Sequence, residues 1–568
     1  MKTQTLIKLL TLVLMLPLQH GCLKNSESSQ EDEMAWTPMI LSRENSTGSY
    51  LPDFSYAGYH FGEEKLPSAS SWEEFNILDF GAISGDSRDD SDAIIAALEA
   101  AEAVDGPVVI KFPTGRFIIQ KPVFITRSHT LLKGSGSGEK GTVLYFPIPM
   151  DQLPVPEPLN ELQEYLVKYN KTQKTNDLGE KIDPMLFSLY SWSGGFLWFT
   201  AKGVRVKKYM SEYDKAPKVL ANLTSGSRGG HQLCSKIPPA VKVGDLVEIQ
   251  WYNREGKNSS LLKHIYVDTV GVTIGSHHWT SPDRPLVTQQ VVITGVEDNQ
   301  ITIKSPLMLD IRPEWTPVMV PWEHIEEAGI EGFRMESPIT PVKPHHVEEG
   351  FNAVYFTRLF NGWARDLVFH NVDNGILTED ACNLTIRDIT TTGTRLAHYS
   401  VVVSGSHNIL VDNLQVYKPV RHALSFNTLA TRSVFKNCKI YDKAMLDQHS
   451  GLNHQNLFDN ILLVDSSVNK EVNQLKVFQE GGAKYWKPTH AAYSTFWNIQ
   501  IDFVNRMNAL DTIWIEPVKS GVHANLVGFS GNLPIHLKYG PGAYMEGINR
   551  PGIAIPSLYE YQIKKRTE

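Results

Sequence analysis

Four polar groups in the second half of this 568-residue chain have the side chains that proton-transfer chemistry needs. They are His398-Tyr399-Ser400, Arg421-His422, Asp447-Gln448-His449 and, soon after, His454. An imidazole has a reference pKa of about 6.5, so it can take a proton near neutral pH. A guanidinium or ammonium beside it, here Arg421 or Lys443, can hold an anionic group of a substrate. A phenol such as Tyr399 or Tyr441 can return a proton, and Asp447 adds a carboxylate. The expected catalytic set is therefore His422, His449, Arg421, Tyr399, Asp447 and Lys443. His398, His454 and Tyr441 are expected to contact substrate, together with Trp486 and Trp497, whose rings can stack on it. The competing reading makes each imidazole a strand or corner residue that bonds neighbouring backbone. His422 and His449 lie about 27 residues apart, so they meet only if the chain returns on itself at that interval.

Such a return is written into the sequence. The phrases Val368-Phe369-His370-Asn371-Val372, Thr385-Ile386-Arg387-Asp388-Ile389, Leu410-Val411-Asp412-Asn413-Leu414 and Val434-Phe435-Lys436-Asn437-Cys438 share one pattern. Each has an apolar or β-branched pair, a polar residue, an Asn or Asp, then an apolar residue. The steps between their Asn/Asp residues are roughly 17, 25 and 24 residues, the range of a solenoid coil. A single coil cannot bury its apolar face, so each must stack on the next. The Asn or Asp is expected at a corner, where its side chain bonds backbone in a tight turn. Stacked strands lie about 4.8 Å apart, which would bring His422 and His449 to neighbouring positions on one outer wall. The expected architecture is all-β, a parallel β-helix.

An apolar helical pattern precedes the coils. Ile94, Ile95, Leu98 and Ala101 share one face, with Asp89, Asp90 and Asp92 at its acidic start. Gly106-Pro107 ends it, strand Val108 to Phe112 follows, Pro113-Thr114-Gly115 turns, and Arg116 to Ile119 returns. From about Phe75 to Phe146, this stretch resembles the opening of the pectate-lyase-like superfamily of right-handed parallel β-helix proteins. The matching residues are Asp79-Phe80-Gly81-Ala82, Asp89-Asp90, Ala93-Ile94, and Val109 to Phe112 with Pro113, Gly115 and Phe117. The resemblance implies a right-handed coil whose open end is plugged by an N-terminal capping helix. It implies no single activity, because the superfamily includes lyases, hydrolases, transferases and phage tail spikes.

The expected organisation is a signal peptide over 1–22, a flexible tether and extension over 23–70, and the capping helix with first coils over 71–146. A β-rich insertion over 147–321, the main β-helix over 322–538 and an irregular tail over 539–568 follow. Lys2, Lys8 and the apolar run Leu9 to Leu18 read as an export signal, too short for a membrane span. Gly21-Cys22 resembles a bacterial lipoprotein cleavage site, although Gln19 and His20 depart from its usual residues. That resemblance implies a lipid on Cys22 and outer-membrane anchoring; the alternative is simple secretion. Hydrophobic content of 42% with 20% charge indicates a folded rather than disordered chain. A net charge of -8 argues against nucleic acid as partner. The four Cys form neither a disulfide framework nor a metal-ligand spacing, so no metal ligand is assigned, and no motif indicates calcium.

Within the implied superfamily, three activities fit these residues. In β-elimination on a uronic-acid polysaccharide, Arg421 or Lys443 neutralises the carboxylate, His422 or His449 removes the activated proton, and Tyr399 or Tyr441 protonates the leaving oxygen. Glycoside hydrolysis needs two carboxylates, for which Glu379, Asp380, Asp442, Asp447 and Asp459 are the candidates. A non-catalytic glycan-binding solenoid is the third reading. The lyase is the leading expectation, because no Asp-Asp pair occurs in the later coils.

Overall fold

The computed structural model describes residues 35–42, 49–170, 187–204, 217–256, 259–268, 282–441, 443–466, 473–482, 487–504 and 512–568. Successive coils hydrogen-bond into two long parallel sheets. In the middle of the larger one, Gly329–Glu336, Trp363–His370, Thr385–Thr392, Leu410–Val416, Val434–Lys436, Leu457–Asp465 and Thr495–Phe503 follow one another in order. The second sheet runs Val123–Ile125, Leu197–Phe199, Asn352–Thr357, Asn374–Glu379, Ala397–Val403, Val420–Phe426, Leu446–His449 and Phe478–Gly481. A third side is a row of single bridges that joins Phe360, Cys382, His407, Thr431 and His454. The expected parallel β-helix is the fold.

Register puts like residues in rows. Ala364, Ile386, Val411, Phe435, Phe458 and Phe496 occupy one row, and each is fully buried. The Phe458 and Phe496 rings stack at 5.3 Å. Burying one of its Ile, Val or Phe side chains contributes about 1.5–3 kcal/mol, and five successive coils from Ile386 to Phe496 repeat that gain.

The bend beside this row carries an amide ladder. Asn413 donates to Asp388 at 2.8 Å, Asn460 to Asn437 at 2.7 Å, and Asn498 to Asn460 at 2.9 Å. These residues have φ between 53° and 60°, which Asn and Asp tolerate better than other side chains. One expected repeat is out of step. Arg365 pairs with Arg387 and Leu367 with Ile389, so Asp366, not Asn371, shares the row of Asp388. Asn371 instead serves the next corner, where its side-chain Oδ1 accepts from the Thr394 amide at 2.9 Å.

The segments outside the regular coils differ from expectation in three places. Within 147–321, Leu197–Phe199 is a strand of the second sheet, so the coil continues inside the stretch read as an insertion. The inserted unit proper is a closed antiparallel barrel of Ala221–Gly226, Gln232–Ser235, Leu246–Tyr252, Pro285–Glu297, Gln300–Ile303 and Val318–Pro321. It docks on the bridge row, where the buried Arg432 guanidinium donates to the Pro306 and Leu307 carbonyls at 3.0 and 2.9 Å. The tail is also ordered: Tyr544–Glu546 extends the larger sheet, and Leu558–Thr567 is a helix. The described part of the extension packs rather than dangles. Trp36 bridges to Ile553, and Phe54 is fully buried. Near the other end, helix Ser91–Ala101 buries Ile94, Ala97 and Ala101 in the main core.

Trp497 is fully buried and cannot stack on a ligand. Its indole donates to the Ile555 carbonyl at 2.7 Å, and it packs with Trp36, Val527 and Tyr559. Trp363 is likewise fully buried, against Tyr59 and Trp72. Trp497→Ala should therefore destabilise the fold by about 3–5 kcal/mol in urea unfolding.

Candidate functional site

Three adjacent strands of the second sheet, Ala397–Val403, Val420–Phe426 and Leu446–His449, bring the expected residues together. Tyr399 is in register with His422, and Ser425 with Asp447. The His422 and His449 rings lie 4.7 Å apart between centroids. Both converge on Asp447, with His422 Nδ1 at 3.2 Å from Oδ2 and His449 Nδ1 at 3.5 Å from Oδ1. Ser425 Oγ donates to Asp447 Oδ2 at 2.5 Å, which holds the carboxylate in place.

On the other side of His422, the rings continue. Tyr399 stacks on His422 at 5.1 Å and on His398 at 4.1 Å. Asn427 donates to the Tyr399 hydroxyl at 3.1 Å, which leaves the phenol proton to be given elsewhere. His398 Nε2 lies 3.1 Å from His345 Nε2. Glu348 stands behind His398, its Oε1 3.5 Å from Nδ1, and 4.0 Å from Arg421 Nε. Ser191 Oγ donates to the second Glu348 oxygen at 2.5 Å.

His345 and Glu348 were not in the expected set. They come from the irregular stretch 337–351, between two strands, where a coil repeat offers no guide. The adjacent pairs His345-His346 and Glu348-Glu349 in that proline-bearing stretch were the available signal.

Burial sets the charge states. His345, His398, His422, His449, Asp447 and Glu348 are all buried. Removal from water holds His422 down at about 4, although the Asp447 charge opposes this. The same desolvation, reinforced by the neighbouring imidazoles, holds His398 well below its ordinary value. For Asp447 burial acts upward, yet His422 and His449 outweigh it and pull the carboxyl well below the usual range. Glu348 goes the other way: burial raises it, and the Ser191 bond only partly offsets this. Burial, then Asp447 and Glu348, push the Tyr399 phenol well up. At neutral pH, Asp447 is thus an anion and His422 a neutral imidazole. The Asp447 charge 3.2 Å away favours the proton on Nδ1, and neither ring nitrogen has a hydrogen-bond partner among the described residues.

Other expected residues lie elsewhere. Lys443 is exposed, and no ion pair joins it to the cluster among the described residues. Tyr441 stacks on Tyr417 at 4.3 Å, and its hydroxyl reaches Gln415 of the larger sheet. His454 sits in the bridge row under the barrel, Nδ1 at 2.7 Å from the Leu452 carbonyl, so the corner reading is right for it. Three carboxylates suggested for hydrolysis hold the fold together. Glu379 accepts from Ser404, Asp380 pairs with Arg358 at 2.5 Å, and Asp459 accepts from Ser557 and the Leu558 and Tyr559 amides. Asp442, Trp486 and Cys22 lie outside the described residues.

Residues 74–145 match the family model described as rhamnogalacturonase A/epimerase, pectate lyase-like. This is the stretch that carries the resemblance seen in the sequence. Among curated proteins, none matches the chain. Solved structures similar to it include the tailspike protein gp49 from Pseudomonas phage LKA1, with 12% identity and a TM-score of 0.45. That match covers 83% of this chain and 79% of the tailspike. A hyperthermoactive exopolygalacturonase from Thermotoga maritima has 13% identity and a TM-score of 0.37, covering 85% and 93%. The mannuronan C-5 epimerase AlgE4 A-module of Azotobacter vinelandii has 10% identity and a TM-score of 0.30, covering 85% and 100%.

Buried neutral imidazoles make stability depend on pH. His422 and His490 are held at about 4 and His454 at about 3, all by burial. The unfolded chain takes up these protons near pH 6.5, so it binds more protons than the folded one between about 6.5 and 4. Stability is full above that window and drops as pH falls through it. Asp151 and Asp459, raised to about 6 by burial, oppose the trend, but the imidazoles with His398 outnumber them. Scanning calorimetry should show Tm falling steadily from pH 6.5 to 4; a flat profile would contradict the neutral state.

Proposed function

We propose that this protein is an enzyme acting on an acidic polysaccharide, and that it breaks the chain by β-elimination. The observation that carries the reading is Asp447 holding His422 and His449 side by side, with Arg421 and Tyr399 on the adjoining strands. In this reading, Arg421 draws electron density from a uronate carboxylate and so acidifies the neighbouring C–H. His449, oriented by Asp447, takes that proton. The bond to the leaving oxygen breaks as the carbon–carbon double bond forms, and the departing oxygen takes its proton from solvent water, because Tyr399 is as fully buried as Trp497 and stacks on His422 from within. The family model matched by residues 74–145 is named for glycan-acting enzymes, which supports the substrate class. Export and a lipid on Cys22 belong to the same proposal, since a polymer must be met outside the cell.

A hydrolase is the second reading, and one observation favours it. Glu348 is pushed up and Asp447 down, the split that separates a general acid from a general base. Incubation with a panel of uronic polymers separates the two. Elimination creates absorbance from an unsaturated uronate; hydrolysis yields reducing ends without it; a binding protein yields neither.

The His449→Ala variant should lose elimination by at least about a hundredfold while remaining folded. Near-normal turnover would remove His449 from the site. A Cβ added at Gly481 would sit 1.6 Å from His449 Nδ1, so the ring must leave Asp447. Gly481→Ala should lower kcat by about tenfold to a hundredfold with little change in KM, as misplacement of a base does. An unchanged kcat would show that this geometry does not matter.

A further inference from the structure

Three imidazoles meet beside the proposed base from three separate pieces of chain. His345 comes from the irregular stretch 337–351, His398 from Ala397–Val403 and His422 from Val420–Phe426. One ring nitrogen of each lies within 4.8 Å of the others. We infer that His345, His398 and His422 bind a first-row divalent transition-metal ion, with zinc as its representative.

Two carboxylates stand behind the ligands. Asp447 Oδ2 lies 3.2 Å from His422 Nδ1, and Glu348 Oε1 lies 3.5 Å from His398 Nδ1. A carboxylate at the far nitrogen keeps the proton there, fixes the ring and makes the near nitrogen a better donor. The near nitrogens are then His398 Nε2, 3.1 Å from His345 Nε2, and His422 Nε2; His422 is buried with neither ring nitrogen hydrogen-bonded among the described residues, and its Nδ1 only faces the Asp447 charge. A simple stack of imidazoles has no need of that unpaired nitrogen, nor of a carboxylate behind two of its rings.

The donor set decides the metal. Three imidazoles suit zinc and its neighbours, and they leave a fourth position open. Calcium and magnesium take oxygen shells, which these nitrogens do not supply. The role of that fourth position, receiving the substrate carboxylate next to Arg421, rests on the active-site reading; the binding of the ion does not.

The test uses full-length protein without a histidine tag, stripped with a chelator and then dialysed with zinc and freed of excess. Elemental analysis should find about one zinc per chain, and cobalt in its place should give the visible bands of a low-coordinate nitrogen site. His345→Ala and His398→Ala should each lose the ion, and His345, on an irregular segment, can be changed without removing a strand residue. Asp447→Asn should weaken zinc affinity by about tenfold to a hundredfold while the protein stays folded. Folded wild-type protein that retains no zinc, or a His398→Ala variant that retains as much as wild type, overturns the site. The failures are distinguishable. Zinc bound with no unsaturated product leaves the ion and sinks the lyase; unsaturated product from folded protein that retains no zinc after loading sinks the ion and leaves the lyase.

Discussion

Everything in this molecule depends on parallel strands hydrogen-bonded in register from one coil to the next. The constraint is covalent in origin: backbone donors and acceptors repeat at fixed intervals, and buried ones must be paired. Once Tyr399 is opposite His422, the residues before and after have no freedom to choose other neighbours. Rows follow from this, whether of Phe in the core, of Asn at the bend or of imidazoles at the site. The same rule builds a stable interior and a chemical centre, with no separate scaffold for either.

The cost of the site is the burial of ionisable groups. Asp447 keeps its charge because Ser425 and two imidazoles surround it, whereas Glu348, with fewer compensating partners, is pushed toward protonation. His422 gives up its own charge. The result is a row whose members differ in protonation although their types repeat. Such differentiation is what acid–base chemistry and metal ligation both need, because each requires lone pairs and protons at specified atoms. The irregular stretch 337–351 completes the row from outside the coil, adding His345 and the Glu348 carboxylate.

Much of the fold was legible because it has a period. The Asn413, Asn437 and Asp388 phrases are true ladder positions, and the opening helix and hairpin were readable from local pattern. Errors came where two corners look alike. Asn371 matches the phrase but serves a different turn from Asp366, and only hydrogen-bond register separates them. Trp497 and His454 failed as ligand contacts for a related reason. An aromatic or imidazole in a coil reads the same whether the C-terminal segment or the barrel covers it or solvent does. The ordered packing of the extension and tail likewise depends on each other's surfaces, which neither displays in its own sequence.

The sequence by itself determined the coil, its stacking direction and the approximate meeting of His422 with His449, because local periodicity and backbone pairing suffice for these. It also determined which side chains were available for proton transfer. Only the tertiary structure decided that His345 and Glu348 join them, that Lys443 and Tyr441 do not, and that burial holds His398 and His422 below the ordinary imidazole range. Those outcomes turn on which distant segment covers a given coil and on how much water it removes, and neither quantity is encoded in any short stretch of chain.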